Sequence, residues 1–200
     1  MFTEESFAVF EITGLDQRMQ AIRSEIQPIF QNIDEAVKVE LENLLEEELF
    51  IHIAQHRRRS VHPPESTWSA ISRQKRGYKM EPHFQLGIWP GYVTMYLSLI
   101  DQPVHKAEMA QKMLDQPALF SQLPQDTMIN LDHTSNKVEP LVEIDLTKAL
   151  TRLQNVKKGE FQIGRIILKE SELWQQPDAA LAYMKETYQS LVPLYQGIQM

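Results

Sequence analysis

Cysteine is absent from the 200 residues, which removes disulfide frameworks, thiolate zinc sites and cysteine nucleophiles at once. Glycine is scarce, with seven residues, and their spacing matches neither a Walker A loop nor a dinucleotide fingerprint. A nucleotide would have to be held in some other way. The longest apolar run, around Tyr92–Ile100, falls far short of the roughly 20 residues a membrane helix needs. The N-terminal MFTEESF is acidic and lacks a basic segment leading into an apolar one, which argues against a secretory signal. There is no GxSxG, and Ser60, Ser66 and Thr67 have no evident base beside them. The acidic residues fall mostly on helix faces, so no glycosidase-type carboxylate pair stands out. These absences describe a cytoplasmic, soluble protein with no membrane partner, and no motif specifies a cofactor, a reaction or an oligomeric state.

What is present is an ordinary globular composition, 42% hydrophobic and 24% charged, suited to one domain over residues 1–200 or to two small halves sharing a core. The net charge of −7 argues against general nucleic-acid binding, but its distribution is uneven. Residues 51–80 hold seven of the twenty Lys/Arg against a single acidic residue, Glu65. Four of the six histidines, His52, His56, His62 and His83, lie between Phe50 and Trp89. A basic island on an acidic body fits a local anion site better than a duplex-wide footprint.

Taken in order, Phe7–Ile12 alternates as a strand would, and Gly14 ends it. Asp16 is placed to cap a helix with Met19, Ile22, Ile26, Ile29 and Ile33 on its apolar face, which Pro28 should kink or split. A second amphipathic helix should face inward through Val37, Leu41, Leu44 and Leu45. Phe50–His56 reads as a strand, because Ile51 and Ile53 are β-branched and prolines follow soon after. Thr67–Ile71 and His83–Trp89 read as further strands, Lys75-Arg76-Gly77 and Pro90-Gly91 as turns, and His105–Leu114, Asp145–Asn155 and Pro177–Tyr195 as helices. Lys75-Arg76-Gly77 followed by His83-Phe84-Gln85-Leu86-Gly87 is echoed by Lys157-Lys158-Gly159 followed by Phe161-Gln162-Ile163-Gly164. The echo would follow from two related halves, about 1–116 and 128–200. The expected fold is α+β, a mixed sheet with helices packed outside.

Three chemistries compete for the basic island. In the first, Arg57, Arg59, Arg76 and Lys79 bind a small anionic or phosphorylated ligand, since guanidinium groups suit phosphate and carboxylate. His56 and His83 are then the acid–base candidates, His52, Tyr78 and Gln85 offer hydrogen bonds, and Lys157 and Lys158 supply the corresponding turn of the second half. On a strand, Arg57 and Arg59 would share one face and Arg58 the other. The bland counterpart pairs these arginines with the acidic helix Glu40–Glu48. In the second, Trp68, Tyr78 and Phe84 interleaved with basic residues serve a single-stranded nucleic acid or a protein partner, although aromatics at strand spacing, Trp68 and Phe84 included, are more often core. In the third, His52 and His56 hold a catalytic metal with help from His83, Asp132 or His133. Were Phe50–His56 a helix, their Cβ atoms would sit about 6 Å apart, close enough to share one ion; on a strand they stand about 13 Å apart, too far, and HExxH is absent. The island's positive charge also opposes a cation, so no metal ligand is assigned.

The stretch His52, Ala54, His56, Arg58, Arg59, Val61, Pro63, Pro64, Thr67, Trp68, Ala70, continuing through Arg76-Gly77-Tyr78-Lys79, Pro82-His83-Phe84-Gln85 and Gly87, resembles the bacterial family DUF1054, also called UPF0637. Its pattern runs approximately HVAKHARRTVNPPxDTWVAF, then RGYKxxPHFQIG. Gly14-Leu15 to Arg18-Met19, Asp132-His133 and Lys157-Lys158-Gly159-Glu160-Phe161 extend the likeness over nearly the whole chain. Arg57 stands where the pattern has a small residue, and His62 where it has asparagine, which implies a more basic site here. The resemblance implies a mixed α/β fold and a site location, and no reaction.

Overall fold

Side chains along a strand alternate between two faces, and here the alternation separates core from site. The computed structural model describes residues 1–101 and 103–200. The strands are β1 (Phe50–Ile53), β2 (Thr67–Ser72), β3 (His83–Trp89), β4 (Tyr92–Leu99), β5 (Met128–Asn130), β6 (Glu139–Pro140) and β7 (Phe161–Leu168). They form one sheet in the order β1-β2-β3-β4-β7-β5-β6. The fold is α+β as expected, but every pairing is antiparallel, so the sheet is not mixed. β3 and β7, which carry the two Phe-Gln-aliphatic-Gly sequences, flank β4 on either side.

Phe84, Leu86 and Ile88 of β3 face the same side as Met95 and Leu97 of β4 and Phe161 and Ile163 of β7. That side is the core, covered by α3 (Gln27–Leu45) and α7 (Pro177–Ile198). The Phe84 ring lies 4.8 Å from Tyr195 and 5.9 Å from Tyr188, a burial worth about 2–3 kcal/mol. Phe30, Ile33, Val37, Leu41 and Leu45 recur every three or four residues of α3 and are all buried. Leu44, expected to face inward, is 46% exposed, because it sits about 100° round the helix from Leu45. The short α4 (Lys106–Asp115), α5 (Ala118–Ser121) and α6 (Leu146–Asn155) lie between β4 and β7 in the chain. Asp145 caps α6 by accepting from the Lys148 amide at 2.9 Å.

The N-terminal segment departs from its expected form. Phe7–Ile12 is no strand: α1 (Glu4–Ala8) runs into a 3₁₀ turn at Val9–Glu11. The Thr3 amide donates to Ser6 Oγ at 3.2 Å and starts the helix, whose Phe2 and Phe7 then pack on the Trp174 ring. Gly14, not Asp16, caps α2 (Leu15–Ala21). The two helices expected between residues 16 and 45 are one path through a wide π turn at Ile22–Ile26, directly before Pro28 in the first turn of α3. Proline has no N–H to return to Ser24, so the irregularity falls where the hydrogen bond is missing.

Asp34 of α3 is buried against the sheet, and desolvation pushes its carboxyl up to about 7, with Ser69 opposing. The unfolded chain releases that proton near pH 4 and the folded chain keeps it until about pH 7. This group therefore costs stability as pH rises from about 4 through 7, by roughly 4 kcal/mol at most. Urea unfolding of the Asp34→Asn variant should match the parent at pH 4.5 and exceed it at pH 7.5. Identical pH dependence in the two proteins would contradict the assignment.

Candidate functional site

Among the described residues the second face of the sheet is largely polar, and the 3₁₀ turn Tyr78–Met80 lies against it. Its register sets His83, Ser98, Gln162 and Asn130 in one row, with His52, Ala70, Gln85, Tyr96 and Gly164 in the next and Trp68, Gly87 and Thr94 beyond. Gln162 Nε2 donates to Ser98 Oγ at 2.9 Å and to Gln85 Oε1 at 3.3 Å. His83 is fully buried and its Nδ1 lies 2.9 Å from the Glu81 carbonyl, which only accepts, so Nδ1 bears the proton. Its Nε2 and the Tyr96 hydroxyl have no hydrogen-bond partner among the described residues. Both Gly87 and Gly164 are required by close approach: a Cβ would lie 2.6 Å from Thr94 Oγ1 at the first and 1.9 Å from the Met95 carbonyl oxygen at the second.

Above this floor lie two cavities that meet at Asp101. The larger, about 600 Å³, is lined by His56, Arg57, Arg58, Arg59, Trp68, Tyr78 and Lys79. The Trp68 indole donates to Tyr78 Oη at 2.8 Å, and Tyr78 stacks on His52. Lys79 sits over the Trp68 ring and pairs with Asp101. β1 ends at Ile53, earlier than the expected His56, and His56 adopts a positive φ of 48°. The chain then turns tightly, with the Arg59 amide on the His56 carbonyl. Strand alternation therefore does not apply, and all three arginines reach the same cavity. They form no ion pair among the described residues; Glu40 pairs with Lys185 and Glu42 with Lys38 instead.

The second cavity, about 450 Å³, is lined by Asp101, Asp132, His133, Arg152, Lys158 and Glu160 among others. Glu160 holds it together. It accepts from the Asp101 amide at 3.1 Å, from the His133 amide at 2.9 Å and from His133 Nδ1 at 2.8 Å. Burial alone would raise the Glu160 carboxyl; these hydrogen bonds outweigh it and hold the pKa below the usual value. Ligand-type atoms of Asp101, His133 and Glu160 lie within 4.8 Å of one another, a spacing a cation could use. Their charges are already compensated by Lys79 and by the donors on Glu160, inside a basic rim.

Of the residues singled out from the sequence, His56, Arg57, Arg59, Tyr78, Lys79 and Lys158 line the cavities, with His52 behind Tyr78 and His83 and Gln85 buried beneath. Arg76 and Lys157 are exposed on their turns and line neither cavity. His52 and His56 are separately engaged, His52 Nε2 at 2.8 Å from the Gln74 carbonyl and His56 Nε2 at 2.9 Å from Thr67 Oγ1, and do not converge. Trp68 is wall and not core. Sequence reasoning does not single out Asp101, Arg152 or Glu160, and reads His133 only as a helper to a metal. The available signal is that Asp132-His133 and Gly159-Glu160-Phe161 fall within the family resemblance.

Burial, with Arg59 and Lys79 adding to it, lowers His56 to about 4, and burial lowers His83 to about 4. Both are neutral at pH 7. For the fully buried His83, stability is complete above the unfolded value near 6.5 and falls as pH drops toward 4, by about 1.4 kcal/mol per unit. Ring-nitrogen NMR at pH 5.5 should show His83 as the neutral Nδ1–H tautomer. Imidazolium shifts at that pH would contradict the buried placement.

A family model described as "Domain of unknown function (DUF1054)" matches residues 2–195. A UPF0637 protein of Enterococcus faecalis strain V583 is 60% identical over 196 residues, covering 98% of this chain and 97% of that protein. One from Lactococcus lactis subsp. cremoris is 47% identical over 199 residues, covering 99% and 98%, and one from Listeria monocytogenes serotype 4b is 38% identical over 196 residues, covering 98% and 96%. With a match from Phe2 to Tyr195 and this level of identity along its length, the chain belongs to the DUF1054 (UPF0637) family.

Proposed function

We propose that this protein binds a small phosphorylated ligand, in the cytoplasm, in the groove formed by the two cavities. The observation that carries this reading is the uncompensated charge of Arg57, Arg58 and Arg59 around one cavity of a protein whose net charge is −7. Three guanidinium groups that line one cavity and form no ion pair among the described residues repel one another, and an anion relieves that repulsion through bidentate contacts. The one carboxylate bordering this cavity, Asp101, is neutralised by Lys79. Trp68 and Tyr78 add an aromatic wall suited to a flat, uncharged portion of the ligand. His56, neutral at pH 7, serves as a hydrogen-bonding group and not as a charge. The same wall would also serve a single-stranded nucleic acid, and salt dependence separates the two.

No helix of the described residues is long and apolar enough to cross a membrane. Inorganic pyrophosphate and ADP are therefore tested in solution by thermal shift. At a hundredfold excess over Kd, stabilisation of about 2.7 kcal/mol should raise Tm by roughly 5–10 °C. Arg58→Ala and Arg59→Ala should abolish the shift, and Arg76→Ala should retain it. A shift given only by long polyanions, and lost on raising salt from 50 to 200 mM, would refute the small-ligand reading.

A further inference from the structure

His133 and Glu160 make an arrangement that anion binding alone leaves unused. A carboxylate can only accept, so the 2.8 Å contact requires His133 Nδ1 to carry the proton. In the neutral ring Nε2 is then the lone-pair nitrogen, and it has no hydrogen-bond partner among the described residues. Glu160 is itself fixed at the buried start of β7 by the Asp101 and His133 amides. An imidazole with its tautomer and orientation locked by a buried carboxylate is what proton abstraction needs. His133 also packs edge-on against Trp68, so it stands beside the arginine wall as well as in its own cavity.

Cations lie on both sides of this pair: Arg57–Arg59 in one cavity, Arg152 and Lys158 in the other. A ligand with phosphate groups held at each side would pass its connecting ester over His133. We propose that His133, oriented by Glu160, is the general base of a phosphodiester-cleaving activity in this groove, a reading that rests on anion binding at the arginine wall. In the step, a water oxygen bonds to phosphorus as its proton passes to His133 Nε2. The phosphorus–oxygen bond to the leaving group breaks, and that oxygen takes a proton from solvent in the open groove. The imidazolium returns its proton to solvent, so the net reaction is diester plus water to monoester plus alcohol. A diester carries one negative charge and is a poor electrophile toward neutral water, which is why a positioned base matters.

The probe is bis(p-nitrophenyl) phosphate, with release of p-nitrophenolate followed in the parent protein and in the His133→Gln and Glu160→Gln variants. His133→Gln should lower kcat by about a hundredfold or more, while keeping the pyrophosphate thermal shift. Glu160→Gln, a change in a positioning residue, should lower kcat by at least about tenfold with KM within about twofold. Because Glu160 also anchors backbone, loss of folding in its variant transfers the test to His133→Gln alone. Pyrophosphate binding without turnover above the His133→Gln level overturns the catalytic assignment and leaves the binding site standing. Absence of any pyrophosphate shift in the parent overturns the binding reading, and this inference with it. Turnover that appears only with an added divalent cation overturns the general-base role in favour of metal ligation by Asp101, His133 and Glu160.

Discussion

The two-residue period of β3, β4 and β7 is the constraint from which the rest of the structure follows. In three adjacent strands the residues of one parity are Phe, Leu, Ile, Val and Met, with Arg165 among them, and those of the other include His83, Gln85, Thr94, Tyr96, Ser98 and Gln162. A one-residue slip in any pairing would place histidine and glutamine against α7 and phenylalanine in the groove, so the register is strongly specified. Helices supply the free energy of folding on one side. The other side, relieved of that task, carries polar groups that would be costly in a two-sided core. His83 Nε2 and the Tyr96 hydroxyl, buried there without partners among the described residues, show how far the face departs from what stability alone would select.

Electrostatics complete the division. An acidic chain sets three consecutive arginines on one turn, between a positive-φ His56 and the Pro63-Pro64 segment, at a cavity walled by Trp68 and Tyr78. Beyond the Lys79–Asp101 pair, the same groove holds a carboxylate and imidazole in a fixed hydrogen-bonded geometry. The two parts come from opposite ends of the sequence, and β4 joins them: its last residues lead into Asp101, whose amide is bound by Glu160 and whose carboxylate is bound by Lys79.

Much of this was legible in the sequence. The strands Thr67–Ser72 and His83–Trp89, the Pro90-Gly91 turn, the helices after residues 105, 145 and 176, and the basic segment as one wall of the groove all follow from local pattern. The N-terminal helix was not legible, because FAVFEI alternates as a strand does and a hydrogen bond between Thr3 and Ser6 decides otherwise. Arg58 was assigned to the wrong face because strand geometry was extended to Arg59, six residues past the end of β1 at Ile53. Trp68 reads as core from composition alone, since nothing local says that its side of β2 faces a cavity. Glu160 could not be paired with His133 without the sheet, for they stand 27 positions apart with β6 and α6 between them.

The central claim is that the polar face of the sheet is where this protein meets its ligand. Two of the three tryptophans report on it from contrasting places: Trp68 lines the arginine cavity, whereas Trp174 packs on Phe2 and Phe7 and donates its indole proton to the Leu168 carbonyl. The most direct measurement is a titration of ¹⁵N-labelled protein with inorganic pyrophosphate, following the indole N–H resonances by NMR. The account predicts a saturable shift of the Trp68 signal with the Trp174 signal unmoved. A saturable shift at Trp174 with Trp68 unchanged would place binding elsewhere and contradict it.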